Sequence, residues 1–273
     1  MRTTIFRSSI ARLAIAAAPM ALVLASAGAQ GPTMPSPYAR SAVRPGEINA
    51  APYIDRDGGP AGAGTLLGTS ELSVIIDASE REHFELGEDV YITLPAGVIA
   101  AVGQRFYTFR LSDSFGEHGQ VVVPTGIVVV RAVGEGNQAT TARIVQEFNK
   151  VARGQGVLAL NTSSPLPSAS LAPVENGLNA KVEWIENAAV APTVQYYVVL
   201  NAGERQGVQV GDRFTLYRPL QPVPEYNTAL PPSDIAVAEV VRVTPFGSTA
   251  LIISQTQPDI SPGVAARLTA KMP

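Results

Sequence analysis

The stretch VQYYVVLNAGERQGVQVGDRFTLYR, residues 194–218, alternates short runs of β-branched and aromatic residues with glycines. Runs of this length and composition are typical of β-strands joined by turns. A weaker copy, EDVYITLPAGVIAAVGQRFYTFR, occurs at residues 88–110. Gly103 and Gly211 open matching turns 108 positions apart, and Phe106 and Phe214 follow them at the same separation. We therefore interpret these four residues as structural.

The same separation recurs downstream, between ARIV at residues 142–145 and ALII at residues 250–253. Two matching blocks in one order and nearly one register indicate a duplicated unit of roughly 100 residues. We predict an all-β fold with two tandem, related, small β-barrel-like modules, at residues 65–165 and 174–273. Nine runs have the length and composition of strands: LSVII, DVYITL, RFYTFRL, QVVVPTGIVVVRAV, KVEWI, YYVVL, RFTLYR, IAVAEVVRV and TALIIS.

Residues 142–152 are ambiguous, because Ile144, Phe148 and Val151 have helical spacing. Their counterpart in the second copy contains Pro258 and is typical of a strand that runs into a loop. If the modules are true copies, the first copy should follow the second. We favour a strand, with a short helix as the alternative.

The first residues, MRTTIFRSSIARLAIAAAPMALVLASAGAQ, carry three arginines, an apolar run from Leu13 to Leu24 and the small residues Ala27 and Ala29. This order is typical of a secretory signal peptide, residues 1–29, cleaved after Ala29. The alternative is an uncleaved anchor, but the apolar run is shorter than the roughly 20 residues that span a bilayer. We expect an exported, periplasmic or extracellular, cell-envelope-associated chain with no membrane span after cleavage.

Residues 30–64 are dense in proline, glycine and serine and lack periodicity, which predicts a flexible linker. The alternative is that SPYARSAVRPGEINAAPYI is a docking peptide that becomes ordered on a partner.

The chain has no cysteine, so disulfides and thiol chemistry are excluded. Its net charge of -3, without a basic block, also makes nucleic acid an unexpected partner.

The segment QYYVVLNAGERQGVQVGDRFTLYR and the later AVAEVVRVTPFGSTALIISQTQPDISPG resemble the C-terminal region of bacterial envelope proteins that carry LysM peptidoglycan-binding modules. A more distant similarity is to the C-terminal domain of flagellar assembly protein T. The similarity covers residues 178–268 well and 65–160 weakly, through glycines and apolar positions. It implies a small β-barrel in the cell envelope. Because the chain contains no LysM module, the resemblance assigns peptidoglycan binding to no residue.

Two histidine regions are candidates for chemistry. Carboxylates near His83 could bind a metal or act as acid and base, although their spacing matches no metal motif and a solvated loop is the simpler interpretation. His118 lies near Ser112, Asp113 and Ser114, but the serines lack a G-x-S-x-G elbow, and a hairpin tip explains the flanking glycines. The polar cluster around His83 consists of Asp77, Glu80, Glu82, Glu85, Glu88 and Asp89.

Two aromatic residues are candidates for binding. Trp184 could stack on a sugar, while a core or domain-interface position is the more ordinary role of a lone tryptophan. Tyr226 lies in the proline-rich insert 219–234, which is either a recognition loop or a plain surface loop. We expect a non-catalytic exported envelope module that binds proteins or peptidoglycan, without cofactor or metal. The alternative is an exported hydrolase that uses His118 or the cluster around His83.

Overall fold

The computed structural model describes residues 43–69, 82–114, 119–160 and 170–273. These residues form one α-helix, α1 (Pro45–Ala50), three short 3-10 helices (Glu186–Ala188, Glu204–Gln206 and Pro224–Tyr226) and a set of antiparallel strands. The strands are β1 (Tyr53–Asp55), β2 (Gly64–Thr69), β3 (His83–Phe84), β4 (Asp89–Ile92), β5 (Arg105–Ser114), β6 (Gln120–Ala132), β7 (Thr140–Glu147), β8 (Val151–Ala152), β9 (Gly156–Ala159), β10 (Ala172–Pro173), β11 (Asn179–Ile185), β12 (Tyr197–Leu200), β13 (Arg213–Arg218), β14 (Gln221–Val223), β15 (Thr228–Leu230), β16 (Ser233–Val243), β17 (Ser248–Gln255) and β18 (Ala265–Lys271).

Six strands of each half close into an antiparallel barrel. Barrel 1 has the order β6-β5-β9-β2-β4-β7, with β7 pairing back onto β6. Barrel 2 has the order β16-β13-β18-β11-β12-β17, with β17 pairing back onto β16. The two rings match strand for strand in chain order. The prediction of an all-β fold with two tandem, related barrel modules is confirmed.

The matching glycine turns have the same geometry in both barrels. Gly103 has a φ of +86° and donates its N–H to the carbonyl of Val130 at 2.9 Å. Gly211 has a φ of +93° and donates its N–H to the carbonyl of Val240 at 2.7 Å. A residue with a Cβ is strained at such φ values, which explains why both turns use glycine.

Each barrel has its own apolar core. Phe106 and Phe214 are both fully buried, one in each core, and occupy equivalent positions in β5 and β13. The largest other side chains of the barrel 1 core are Leu66, Phe84, Ile92 and Ile144. Those of the barrel 2 core are Leu200, Leu216, Ile235 and Ile252.

The ambiguous residues 142–152 contain strand, which confirms the favoured interpretation and rejects the helix. Strand β7 pairs with β4 on one side and with β6 on the other. Ala142 and Ile144 are buried in the core, whereas Val145 is exposed, so burial alternates as it does in a strand. The following short strand, β8, pairs with β3.

Residues 43–57 form what we call the N-terminal strap, which links the outer surfaces of the two barrels. The predicted flexible linker is wrong for this part of residues 30–64, because α1 and β1 form here and pack on the barrels. Val43 and Ala51 are buried in an apolar cluster with residues of barrel 2. The buried barrel residues of that cluster are Tyr197, Val241 and Leu251.

Hydrogen bonds fix the strap at both ends. The hydroxyl of Tyr197 donates to the carbonyl of Glu47 at 2.5 Å, and the hydroxyl of Thr249 donates to the carbonyl of Pro52 at 2.5 Å. At the other end, β1 pairs antiparallel with the start of β6. The strap carries few large apolar residues, so its order depends on partners that are remote in sequence rather than on a local pattern.

Candidate functional site

Trp184 lies between the barrels rather than on an open surface. Its side chain is only 7% exposed and packs with Val199 of barrel 2 and with Val121 and Val123 of β6. Ile54 of the strap completes this cluster. The structure therefore corrects the hypothesis that Trp184 binds a ligand by stacking, because the ring is covered by the other barrel. The domain-interface position agrees with this burial.

Two side chains of opposite charge, Glu186 and Arg110, lie near the contact between the two barrels, which we call the junction. Glu186 follows β11, and its Oε2 accepts a hydrogen bond from the backbone N–H of Tyr197 at 3.3 Å. Burial raises the pKa of Glu186, while that hydrogen bond and the positive charge of Arg110 oppose the rise. Arg110 belongs to barrel 1, so the junction combines an apolar cluster with an attraction between unlike charges.

The proline-rich insert is a β-hairpin, which corrects the interpretation as a plain loop. We call residues 219–232 the arm. Strands β14 and β15 pair with Val223 opposite Thr228, and the short helix Pro224–Tyr226 connects them. Asn227 ends that helix in the left-handed region, at a φ of +48°. The two strands form a separate sheet, not part of the barrel 2 ring.

The arm presents large apolar side chains to water. Tyr226 is 77% exposed, Leu220 is 59% exposed and Leu230 is 51% exposed. The segment contains a single charged residue, Glu225. Exposed apolar clusters on soluble proteins mark interaction surfaces, and prolines reduce the conformational freedom that binding would otherwise remove. Tyr226 lies in the short helix at the tip of the arm.

His83 lies on β3 and not on the loop that its sequence context predicts. The residue is exposed, and its Nε2 lies 3.3 Å from the Nζ of Lys150. Asp89 forms an ion pair with Arg143 at 2.7 Å, and this hydrogen-bonded guanidinium lowers the pKa of Asp89. These two members of the predicted polar cluster have different partners.

The other members of that cluster form no shared site in the described part of the chain. The Oε2 of Glu88 accepts a hydrogen bond from the backbone N–H of Glu85 at 3.0 Å, which is a local turn contact. Asp77 and Glu80 lie outside the described residues. Among residues 43–69, 82–114, 119–160 and 170–273, no three His, Asp or Glu side chains are grouped so that they could hold a metal ion.

His118 lies outside the described residues, as do the side chains of Asp113 and Ser114. The strands on either side are described, and β5 pairs antiparallel with β6 with Leu111 opposite Val122. The prediction of a hairpin at this place is confirmed.

No helix in the described ranges has the length and apolar character needed to cross a membrane.

The sequence indicates the arm and an interface position for Trp184, but it does not indicate the ordered strap or the residues that Trp184 contacts. The arm stands out locally through its prolines, whereas the strap and the Trp184 cluster join residues from distant parts of the chain. No protein-family model and no curated protein sequence matches this chain.

Proposed function

We propose that this chain is a non-catalytic exported module of the cell envelope that binds another envelope component through the arm. The carrying observation is the exposure of Tyr226, Leu220 and Leu230 on a proline-stiffened hairpin that is separate from the barrel 2 ring. Large aromatic side chains supply much of the binding energy in protein interfaces. Tyr226 is the principal contact in this proposal.

Export and the envelope setting come from the sequence. The signal-peptide pattern of residues 1–29 supports export, and the resemblance of residues 178–268 to LysM-associated envelope domains supports the compartment. The proposal assigns binding to the arm and not to a LysM module. The partner is either an envelope protein or peptidoglycan.

The non-catalytic part of the proposal is supported by how the candidate acids and bases are placed. His83 is exposed beside Lys150, and Asp89 is paired with Arg143, so the two side chains have separate partners. The competing hypothesis is a hydrolase that uses His118 or His83. Under our proposal, the variants His83→Ala and His118→Ala retain binding.

The test compares matched variants of the mature chain, residues 30–273, as baits. Solubilised envelope proteins and purified peptidoglycan are offered separately, so that the two partner classes are distinguished. The double variant Tyr226→Ser/Leu230→Ser is expected to weaken capture about thirtyfold or more, because truncation of a single hot-spot residue costs about 2 kcal/mol. The control is Leu86→Ser, which removes a similarly exposed side chain, 62%, from barrel 1.

The control variant is expected to bind like the wild type, and circular dichroism checks that every variant is folded. Equal capture by the wild type and by the arm variant would reject the arm as the binding surface. If the wild type shows hydrolytic activity that a folded His118→Ala or His83→Ala variant loses, the hydrolase is favoured instead.

A further inference from the structure

A cavity of about 820 Å³ lies between the two barrels and α1, away from the arm. Its volume falls within the range of roughly 300–1,000 Å³ that is typical of small-molecule sites, and such sites favour domain interfaces. Apolar atoms form slightly more than half of its wall. The larger apolar side chains of the wall are Ile48, Val98, Leu158, Val210, Val241 and Met272.

One charged side chain, Arg242, lines this apolar cavity. Its guanidinium stacks on the ring of Tyr53 at 4.0 Å, and its Nη1 donates a hydrogen bond to the carbonyl of Ala51 at 3.0 Å. No carboxylate in the described ranges forms an ion pair with Arg242. A guanidinium has five N–H donors, so most of its donor capacity remains for a ligand.

Neutral polar groups stand near this guanidinium. Tyr107 lines the cavity, and its hydroxyl lies 3.5 Å from the hydroxyl of Tyr53. Asn49 and Gln209 also line the wall and carry no charge. The cavity therefore combines several apolar side chains and neutral polar groups with one positively charged side chain that two contacts hold in place.

We infer that this cavity binds a single-chain amphiphile with a terminal carboxylate, such as a medium-chain fatty acid. The alkyl chain lies along the apolar wall, and the carboxylate accepts hydrogen bonds from Arg242. Arginine pairs with a carboxylate through two parallel N–H···O bonds, which makes it the natural donor for this headgroup. This inference goes beyond the proposed function, since it concerns a different ligand and a different surface from the arm.

Calorimetric titration of the mature chain with decanoate and with 1-decanol tests the inference. The wild type is expected to bind one decanoate. The variant Arg242→Gln is expected to weaken decanoate binding about tenfold or more, because a hydrogen bond to a charged group is worth roughly 1.5–3 kcal/mol. Its affinity for the uncharged decanol should stay unchanged. Arg267→Gln is the matched control, since Arg267 also stacks on a tyrosine, Tyr217, at 4.6 Å.

A second variant covers the case in which Arg242→Gln does not fold. Ala61 is an exposed residue at the cavity wall, and Ala61→Phe is expected to fill the cavity and weaken both ligands. Failure of the wild type to bind decanoate overturns the inference. So does unchanged decanoate binding in a folded Arg242→Gln variant, or in Ala61→Phe. The arm variant should bind decanoate normally, which keeps this test separate from that of the proposed function.

Discussion

The outer surfaces of the two barrels differ at positions that the backbone makes equivalent. In barrel 1, Asp89 lies opposite Arg143 in the ladder of β4 and β7, and the two side chains form an ion pair. In barrel 2, Tyr197 lies opposite Leu251 in the ladder of β12 and β17, and both are buried beside the strap. The ladders preserve the fold, while the outward residues decide whether a surface meets water or another segment.

The interiors also differ at equivalent positions, and barrel 1 again has the polar side chains. In barrel 1, buried Thr108 and Thr125 share a hydrogen bond of 2.7 Å, and Thr125 donates to Gln155 at 2.7 Å. Barrel 2 has apolar residues at the corresponding places. These are Leu216, Ile235 and Val264. At these positions barrel 1 has polar groups inside and an ion pair outside, whereas barrel 2 is apolar on both sides. Barrel 2 has its buried charges elsewhere, where Arg213 of β13 and Glu239 of β16 form an ion pair at 2.8 Å.

The largest expected effect tests whether the shared architecture also means separate stability. Phe106→Ala and Phe214→Ala should each lower the free energy of unfolding by about 3–5 kcal/mol, because each removes a fully buried ring from its own core. Since each ring closes with strands of its own half, amide hydrogen exchange should speed up mainly in the mutated barrel. Equal loss of protection in both barrels would show that the junction couples them into one cooperative unit.

An exchange of the outward-facing residues at the equivalent positions 143 and 251 tests the difference between the two outer surfaces. Leu251→Arg gives barrel 2 the residue that barrel 1 has at position 143, and it places a charge in a site that is 3% exposed. We expect a loss of about 3 kcal/mol in unfolding free energy, because a guanidinium stays charged and finds no opposite charge at this buried site. The strap should also become sensitive to mild proteolysis near residues 43–57.

The reciprocal change, Arg143→Leu, is the control for this exchange. Arg143 is 42% exposed, so its replacement should change the unfolding free energy by less than about 1 kcal/mol. Urea denaturation measures both variants. If the two exchanges had equal effects, the strap would contribute little to barrel 2.

The smallest expected effect concerns pH. The hydrogen-bonded Arg143 holds the pKa of Asp89 below its ordinary value in the folded chain. A lowered folded pKa means that the pair stabilises the fold above the unfolded pKa and loses this contribution as pH falls through the folded pKa. The free energy of unfolding of the wild type should exceed that of Asp89→Asn by at most about 1 kcal/mol near pH 7. This difference should vanish well below pH 4. Barrel 2 offers no such ion pair at its equivalent Tyr197 and Leu251.

The fold class can be predicted from the sequence because the strongest patterns, the strand-forming runs and the turn glycines, are local. Val-rich and Tyr-rich runs predict strands, and glycines that need a positive φ mark the repeated turns at Gly103 and Gly211. The strands β2, β9 and β18 were absent from the nine predicted runs. Their sequences, GTLLGT, GVLA and AARLTAK, contain glycine and alanine, which have low strand propensity, so closure of each ring imposes their conformation.

The same difference between local and long-range signals applies to the candidate sites. Tyr226 was identified because prolines and a lone aromatic residue stand out within one segment. The burial of Trp184 depends on Val121 and Val123, which lie about 60 residues earlier, and no periodic pattern records such a contact. The strap was misjudged for the same reason, since its composition alone predicts disorder.

The strap also sets the order in which this molecule can be completed. Its hydrogen-bond partners Tyr197, Arg242 and Thr249 follow it by 150, 191 and 197 residues. Synthesis starts at the N-terminus, so the strap is made early, while barrel 1 can close from residues 64–159 before barrel 2 is finished. A chain that stops before β17 leaves the strap without the part of its docking surface that Thr249 and Leu251 supply, although β1 can still pair with β6. Protection of α1 from proteases is therefore a structural mark of a chain that has been made through β17.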